Sequence, residues 1–216
     1  MIEVLIADDH QILREGLKLI LAETSDIDVT GEASYGKEVL KKVWKNDYDL
    51  ILLDISMPDS SGLDILKQIK SVKPELKVLI LSGHPEEHFA VRSLRSGASG
   101  YLTKDRASDE LVTAIRRVSQ GRMYVSSSLA ETLAWDVFRG SLGETDQKKP
   151  IYEQLSDREY QVLCMIASGK TVTQIANELS LSIKTISTYH SRIMGKMHIK
   201  TDAELTRYAI ENQLVE

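Results

Sequence analysis

The chain has 216 residues, 42% of them hydrophobic and 27% charged, which is typical of a globular protein with one large domain or two small ones. Four prolines, twelve glycines and a single cysteine exclude a collagen-like chain, a mostly disordered chain and an intramolecular disulfide framework. The net charge of −5, averaged over the whole chain, argues against a nucleic-acid partner.

The first 120 residues alternate between two periodicities. Five short apolar segments fit buried β-strands: Ile2–Ala7, Val29–Ala33, Leu50–Leu53, Val78–Leu81 and Gly100–Leu102. Between them, apolar residues recur at helical spacing on four faces: Leu13, Leu17, Ile20 and Leu21; Leu63, Leu66 and Ile69; Ala90, Leu94 and Ala98; and Leu111, Ala114, Ile115 and Val118. Alternating strands and helices predict an α/β domain with a doubly wound, five-stranded parallel sheet covered on both faces.

After Gly121 the pattern changes. Ser126–Phe138 fits one helix, and Gly140–Pro150 is polar and rich in helix breakers, as a linker is. Four short helices follow, with start signals at Ser156-x-x-Glu159, Thr171-x-x-Gln174, Ser182 and Thr201-x-x-Glu204. Their predicted ends are Gly169, Leu179, Met197 and Asn212. We therefore expect an α/β domain over residues 1–120, a linker with one helix over 121–152 and an all-α domain over 153–216.

Polar residues follow the predicted strands: Asp8 and Asp9 the first, Asp54 the third, Ser82 the fourth and Lys104 the fifth. In a parallel sheet these ends converge on one rim, where ligands bind. Three carboxylates at one rim repel one another unless a cation joins them, and all-oxygen ligation suits Mg²⁺. A carboxylate beside Mg²⁺ and a lysine is well placed to attack a phosphoryl group and form an aspartyl phosphate.

The segments IADDH, LLDISMPDSSG, LILSGH and GYLTK resemble, in order and spacing, the receiver domain of two-component response regulators. The resemblance implies that Asp54 accepts the phosphoryl group and that Mg²⁺ is bound by Asp8, Asp9, Asp54 and the backbone carbonyl of Ser56. It also implies that Lys104 and Ser82 contact phosphoryl oxygens and that Tyr101 changes rotamer with Ser82. A cognate histidine kinase is the implied donor, with slow self-dephosphorylation and no multiple-turnover enzyme activity.

The receiver resemblance has one departure. Many receivers have a proline after the conserved lysine, in a cis peptide, but here Asp105 follows Lys104. A cis bond without proline costs about 2.5–4 kcal/mol, so the sequence leaves open whether this bond is cis or trans.

Residues 171–197 are predicted to form a helix, a short turn and a second helix. One face of the second helix is polar, small and free of acidic residues, which suits a surface that enters a DNA major groove. This face consists of Lys184, Ser187, Thr188, Ser191 and Gly195, flanked by Arg192 and Lys196. Between residues 170 and 200 there are five basic residues and one acid, a local charge of 5 − 1 = +4 that favours DNA.

The segment LSDREYQVLCMIASGKTVTQIANELSLSIKTISTYHSRIMGKM is similar to the LuxR-type, helix-turn-helix output domain of NarL/FixJ response regulators. The family often has T-V-K-x-H in the recognition helix, where this chain has Thr185, Ile186, Ser187, Thr188 and Tyr189, so base specificity does not carry over. The resemblance implies a phosphorylation-regulated transcription regulator that binds promoter DNA, dimeric when phosphorylated. The alternative is a receiver whose helical output domain binds protein or RNA.

The remaining distinctive residues have structural interpretations. Cys164 lies in an apolar helical run and is expected to be buried. Trp44 and Trp135 are expected to anchor a core or an interface, and the five histidines are read as surface or local groups without a metal-ligand cluster. With neither a membrane-length apolar run nor a secretory signal, the chain is expected in the cytoplasm, without a membrane partner.

The net charge is an average over unlike parts. Residues 1–120 carry 16 basic and 20 acidic residues, a charge of −4, and residues 151–216 carry 7 and 8, a charge of −1. The second half nevertheless encloses the +4 stretch at the predicted recognition helix, so the acidic total does not exclude DNA binding.

Overall fold

Five parallel β-strands form the sheet of the first half of the chain. The computed structural model describes residues 1–131, 133, 134, 150–212, 214 and 215. The strands are β1 (Ile2–Ala7), β2 (Ile27–Ala33), β3 (Leu50–Asp54), β4 (Lys77–Ser82) and β5 (Gly100–Thr103). They pair in the order β2-β1-β3-β4-β5, and every pair is parallel. The predicted doubly wound, five-stranded parallel sheet is confirmed.

Helices follow each of the five strands. They are α1 (Gln11–Ala22), α2 (Gly36–Lys45), α3 (Gly62–Val72), α4 (Glu86–Arg95) and α5 (Ala107–Ser119). The four predicted apolar faces correspond to α1, α3, α4 and α5, except that Ala98 of the third face lies beyond the end of α4 at Arg95. The four faces did not include α2, although its Val39, Leu40, Val43 and Trp44 recur at helical spacing. Val39 and Val43 are buried, Leu40 is half-buried and Trp44 is 64% exposed. Of the two expectations for Trp44, a core or an interface anchor, its exposure contradicts the core position. Trp135 lies outside the described residues.

Burial on both faces explains why the strands are almost continuously apolar. One face joins strand residues such as Ile6, Leu52 and Leu79 to apolar residues of α1 and α5, including Leu17 and Ile115. The alternate strand residues are buried as well: Leu5, Ile51, Leu53, Val78 and Ile80. A sheet covered on both faces exposes only its ends, and this directs attention to the rim at the carboxyl ends of the strands.

The described part of the chain divides into two compact units, one up to residue 134 and one from residue 135 onward. Residues 127–131 are helical, which agrees with the start of the helix predicted over Ser126–Phe138. The rest of that helix and most of the predicted linker Gly140–Pro150 lie outside the described residues.

The second unit is helical. After a 3₁₀ turn (Ile151–Gln154) come α6 (Asp157–Ala167), α7 (Val172–Glu178), α8 (Ile183–Met197) and α9 (Asp202–Glu211). All four predicted cap residues accept a hydrogen bond from a backbone amide of the first turn: Ser156, Thr171, Ser182 and Thr201. Cys164 is buried, as predicted. Within the described ranges, no helix has the length and apolar character needed to span a membrane.

Candidate functional site

The rim of the sheet brings together side chains that are far apart in sequence. Asp8 directly follows β1, Asp54 ends the neighbouring strand β3, and Lys104 follows β5. Lys104 Nζ lies 2.6 Å from Asp8 Oδ2 and 2.9 Å from Asp54 Oδ2. Both aspartates are 1% exposed. One ammonium group thus bridges two buried carboxylates, as the convergence of the strand ends predicted.

Asp9 and His10 complete the carboxylate end of this cluster. His10 Nδ1 lies 3.2 Å from Asp8 Oδ1 and 3.0 Å from Asp9 Oδ1. The His10 amide also donates to Asp8 Oδ1 over 2.7 Å. Oxygen or nitrogen atoms of Asp8, Asp9, His10 and Asp54 all lie within 4.8 Å of one another. The His10 side chain is 62% exposed, which agrees with its prediction as a surface or local group, but its place in this cluster corrects the expectation that no histidine joins a metal-ligand cluster.

Two buried oxygen atoms of the cluster lack a hydrogen bond from the described residues: Asp8 Oδ2 and Asp9 Oδ1. Their neighbours Lys104 Nζ and His10 Nδ1 lie 2.6 and 3.0 Å away, within ion-pairing distance, but form no hydrogen bond with them. Buried carboxylate oxygens without a donor are costly unless a cation satisfies them. Three carboxylates with oxygen atoms available therefore fit a hard divalent cation, with Asp8, Asp9 and Asp54 as the residues that would hold it.

The electrostatics of the cluster depend on burial and on Lys104. Burial raises the pKa of the Asp54 carboxyl above its ordinary value, Lys104 partly offsets that rise, and Asp8 adds to it. Burial would lower the pKa of the Lys104 ammonium, but Asp54 and Asp8 outweigh burial and raise it. Lys104 is therefore a permanent positive charge at neutral pH. Further positive charge at the cluster would favour the ionised, nucleophilic form of Asp54.

Ser82 and Tyr101 meet at the backbone of His84. The Ser82 hydroxyl accepts a hydrogen bond from the His84 amide over 3.0 Å, and the Tyr101 hydroxyl donates to the His84 carbonyl over 3.0 Å. Ser82 and Tyr101 are both buried. His84 Nε2 also lies 3.1 Å from the Ser56 hydroxyl in the loop after β3. This contact of His84 is not predictable from the sequence, because no local pattern links residues 28 positions apart.

The loop between β3 and α3 is held close to Asp54. The Ser56 amide donates to Asp54 Oδ1 over 3.1 Å, and the Gly62 amide donates to the Ile55 carbonyl over 2.9 Å. Further along the loop, Asp59 accepts hydrogen bonds from the first two amides of α2, over 2.6 and 3.1 Å. The Asp54 carboxylate therefore has its own loop amide on one oxygen and Lys104 on the other. The Lys104–Asp105 peptide bond, which the sequence left open as cis or trans, is trans.

The second predicted site lies on α8. Ile186, Ile193 and Met197 are buried, and the opposite side presents the predicted polar face, with these residues exposed: Lys184, Ser187, Thr188, Ser191, Arg192, Gly195 and Lys196. Thr185 is half-buried, and its hydroxyl lies 2.8 Å from the Ser182 hydroxyl. No residue of α8 is acidic. Ser187, Thr188 and Ser191 donate their hydroxyls to helix carbonyls four residues earlier, so they present acceptor oxygens outward.

Two of the five basic residues near α8 are engaged in ion pairs. Lys196 Nζ lies 2.6 Å from Glu159 Oε2, and Glu159 is only 3% exposed. Lys170 lies 2.6 Å from Glu178. Lys184, Arg192 and Lys200 form no ion pair with any residue that the structure describes. On α8 itself the positive charge available to a ligand is therefore centred on Lys184 and Arg192, with Lys200 just beyond the end of the helix. Lys196 contributes less than the sequence suggested.

The family of the chain follows from its two domains. The model of the response regulator receiver domain matches residues 4–116, and that of the luxR family of bacterial regulatory proteins matches residues 153–209. The chain belongs to the NarL/FixJ-type response regulators, in which a receiver domain is joined to a LuxR-type domain.

Individual relatives extend over the whole chain. Response regulator UvrY of Escherichia coli (strain K12) is 36% identical over 214 residues, covering 99% of this chain and 96% of that protein. Response regulator GacA of Pseudomonas aeruginosa is 35% identical over 216 residues, covering 100% and 99%. Among solved structures, RcsB from Salmonella enterica serovar Typhimurium bound to promoter rprA with phosphomimetic BeF₃⁻ is 28% identical, covers 96% and 98%, and has a TM-score of 0.61. An RcsB–DNA complex is 27% identical, covers 96% and 97%, and has a TM-score of 0.63.

Proposed function

We propose that the chain is a phosphorylation-regulated, DNA-binding transcription regulator in which residues 1–120 accept the phosphoryl group and residues 153–216 bind promoter DNA. The observation that carries the receiver half is the bridge that Lys104 forms between two buried carboxylates, Asp8 and Asp54, with Asp9 next to them. Asp8 Oδ2, which Lys104 pairs with, and Asp9 Oδ1 accept no hydrogen bond from the described residues. This arrangement combines a nucleophile, a fixed positive charge and ligands for a divalent cation, which is what phosphoryl transfer needs.

In the proposed reaction, a carboxylate oxygen of Asp54 attacks the phosphorus of a phosphohistidine on the cognate kinase or of a small acyl phosphate. The new O–P bond forms as the bond to the leaving imidazole or carboxylate breaks. Lys104 neutralises charge on a phosphoryl oxygen. Mg²⁺, held by Asp8, Asp9, Asp54 and the Ser56 carbonyl, would supply further charge neutralisation. Water then hydrolyses the aspartyl phosphate slowly, so the domain is a switch and not a multiple-turnover enzyme.

The contacts at His84 give a route from the phosphoryl group to the domain surface. If the Ser82 hydroxyl turns toward a phosphoryl oxygen, its hydrogen bond with the His84 amide is lost. The His84 carbonyl, which accepts from Tyr101, belongs to the same residue, so a displaced His84 also releases Tyr101. Ser82 and Tyr101 would thus move together as one two-state element that phosphorylation biases.

Labelling with acetyl phosphate tests the receiver half. We expect the wild-type chain to take up one phosphoryl group in the presence of Mg²⁺ and none with EDTA. Asp54→Asn should abolish the label, while Asp28→Asn, the same chemical change at an exposed position of β2, should not. Undiminished labelling of Asp54→Asn would refute the assignment of the phosphoacceptor.

The DNA-binding half rests on the acid-free, exposed face of α8 with Lys184 and Arg192. Solved RcsB structures bound to DNA, at 27–28% identity over nearly the whole chain, support it. A structure described as two RcsB dimers bound to two parallel DNAs also supports binding as a dimer. A dimer predicts half-sites about 10 base pairs, or a multiple, apart.

Salt dependence tests this half with the best duplex selected from a random pool. Each lost phosphate contact should reduce the slope of log K against log salt by about 0.9. We expect Lys184→Ala and Arg192→Ala to flatten the slope, and Lys170→Ala, whose partner is Glu178, to leave it unchanged. If RNA competes as well as the selected duplex, or if affinity does not change between roughly 50 and 200 mM salt, the DNA assignment fails.

A further inference from the structure

We propose that Arg14 is a positioning residue for the cation site, because its guanidinium holds the peptide bond between Asp8 and Asp9 in the orientation that directs both carboxylates into the cluster. This inference rests on the proposed function of the cluster as a metal-assisted phosphoacceptor site. It concerns a residue that touches neither the cation nor the phosphoryl group.

Arg14 lies in the first turns of α1 and is largely buried, with its side chain 12% exposed. Its Nη1 donates to the Asp8 carbonyl over 2.7 Å, and its Nε donates to Glu32 Oε2 over 3.3 Å. One rigid guanidinium thus joins the end of β1 to the end of β2. A buried arginine that uses two sides of its planar group is fixed in orientation, and so is the carbonyl that it holds.

The Asp8 carbonyl belongs to the peptide unit that links the two acidic residues. A peptide unit is planar, so fixing its carbonyl also fixes the amide and the Cα atom of Asp9. On the other side, the Asp8 amide donates to the Ala33 carbonyl over 3.1 Å. Asp8 is therefore held by its amide and by its carbonyl, and the direction of the Asp9 side chain depends on the second contact, which Arg14 supplies.

Glu32 anchors Arg14 and also provides a matched control. Lys18 Nζ lies 2.7 Å from Glu32 Oε1, so Lys18 and Arg14 share this carboxylate. Lys18 holds the pKa of Glu32 below its ordinary value, and Arg14 adds to this effect against the opposing influence of burial. Lys18 also pairs with Glu15. Both cations contact Glu32 at the end of β2, but of the two only Arg14 also donates a hydrogen bond to the Asp8 carbonyl.

A purely electrostatic role of Arg14 predicts the opposite change in cation affinity from a positioning role. Removing a positive charge near a cation site should strengthen cation binding, because a like charge has been taken away. Removing a group that orients the ligands should weaken cation binding, and loss of such supporting groups commonly costs about tenfold or more in metal affinity. The sign of the change therefore decides between the two explanations.

The test measures Mn²⁺ binding to the full chain by electron paramagnetic resonance, with Mg²⁺ as the competitor, and labelling by acetyl phosphate as a function of Mg²⁺. We expect Arg14→Ala to weaken Mn²⁺ and Mg²⁺ binding about tenfold. At saturating Mg²⁺ its labelling rate should approach that of the wild type. Lys18→Ala should bind both metals as the wild type does. Arg14→Lys, whose single ammonium cannot replace the fork between Asp8 and Glu32, should fall between the two.

Unchanged or tighter metal binding by Arg14→Ala overturns the proposal, as does a labelling rate that stays low at saturating Mg²⁺. Thermal unfolding shows whether Arg14→Ala is folded; if it is not, Arg14→Lys decides, and wild-type metal affinity in that variant overturns the proposal. A wild-type chain that binds no metal and takes no label refutes the proposed function itself. A wild-type chain that does both, with Arg14 variants identical to it, refutes only the role of Arg14.

Discussion

Gly62 is the residue at which the geometry of the phosphoacceptor loop depends most directly on the absence of a side chain. A Cβ atom at this position would lie 2.2 Å from the Asp54 carbonyl oxygen and 2.7 Å from Ile55 Cα. Both neighbours are backbone atoms of the strand end that carries the candidate nucleophile. Gly62 does not have a positive φ, so Gly62→Ala tests close approach alone and not backbone strain.

The size of the effect follows from these distances. Non-bonded carbon atoms rest at about 3.5–4.0 Å, so the methyl group forces α3 and the end of β3 apart by roughly 1 Å. Overpacking of this kind costs about 1–3 kcal/mol, and the lower entropy of the unfolded alanine chain returns about 0.4–1 kcal/mol. We expect a net loss of about 1–2 kcal/mol in the free energy of unfolding. A displacement of about 1 Å at a reacting group can cost about 100-fold in rate.

Thermal unfolding and acetyl phosphate labelling measure the two consequences of Gly62→Ala. We expect a melting temperature lowered by roughly 3–8 °C and a labelling rate reduced by about two orders of magnitude. The matched control is Gly83→Ala, directly after Ser82, where a Cβ atom meets nothing within 4 Å. If Gly62→Ala melts and labels as Gly83→Ala does, the close approach at Asp54 is not what holds the loop, and the reasoning is wrong.

Two further predictions concern buried ion pairs. Burial alone would raise the pKa of Glu159, but Lys196 and the Ser156 amide outweigh it and hold the pKa below its ordinary value. A depressed folded-state pKa stabilises the fold above the unfolded value of 4.5 and loses this effect as the pH falls through the folded value. In Glu159→Gln the free energy of unfolding should therefore fall less steeply than in the wild type as the pH is lowered below about 4.5. An unchanged slope would contradict this. Lys104→Met leaves Asp8 and Asp54 facing each other without a cation. Its melting temperature should therefore lie below that of the wild type in EDTA, and Mg²⁺ should raise it by more than it raises the melting temperature of the wild type. Equal responses to Mg²⁺ would count against the bridge.

The sequence predicted most of the fold because each local signal was strong and agreed with its neighbours. The strands are buried on both faces and therefore apolar throughout, and all four caps of the helical unit are short side chains at the expected spacing. The four apolar faces taken from the sequence left out α2, although Val39, Leu40 and Val43 recur there at helical spacing and are buried or half-buried.

The rim cluster was also predictable, because residues that follow the strands of a parallel sheet lie close together at one edge of the sheet, however far apart they are in sequence. The contacts that orient the cluster were not predictable in this way. Arg14 reaches the Asp8 carbonyl, and His84 lies beside Ser56, through side chains whose direction depends on tertiary packing and leaves no periodic trace in the sequence. The same holds for Lys196, an apparently free basic residue of α8 that proved to be paired with the buried Glu159.

These ion pairs change what the charge of the output domain implies for DNA. With Lys170 and Lys196 engaged in ion pairs, Lys184 and Arg192 are the cations that α8 can direct to phosphates. Two phosphate contacts correspond to a salt slope of about −1.8 for one copy and about −3.6 for two copies on paired half-sites. If the chain binds DNA as proposed, a single copy gains little from the sequence-independent part of DNA affinity, and we expect phosphorylation to act on dimerisation. A salt slope that is the same for a single half-site and for paired half-sites would refute this view.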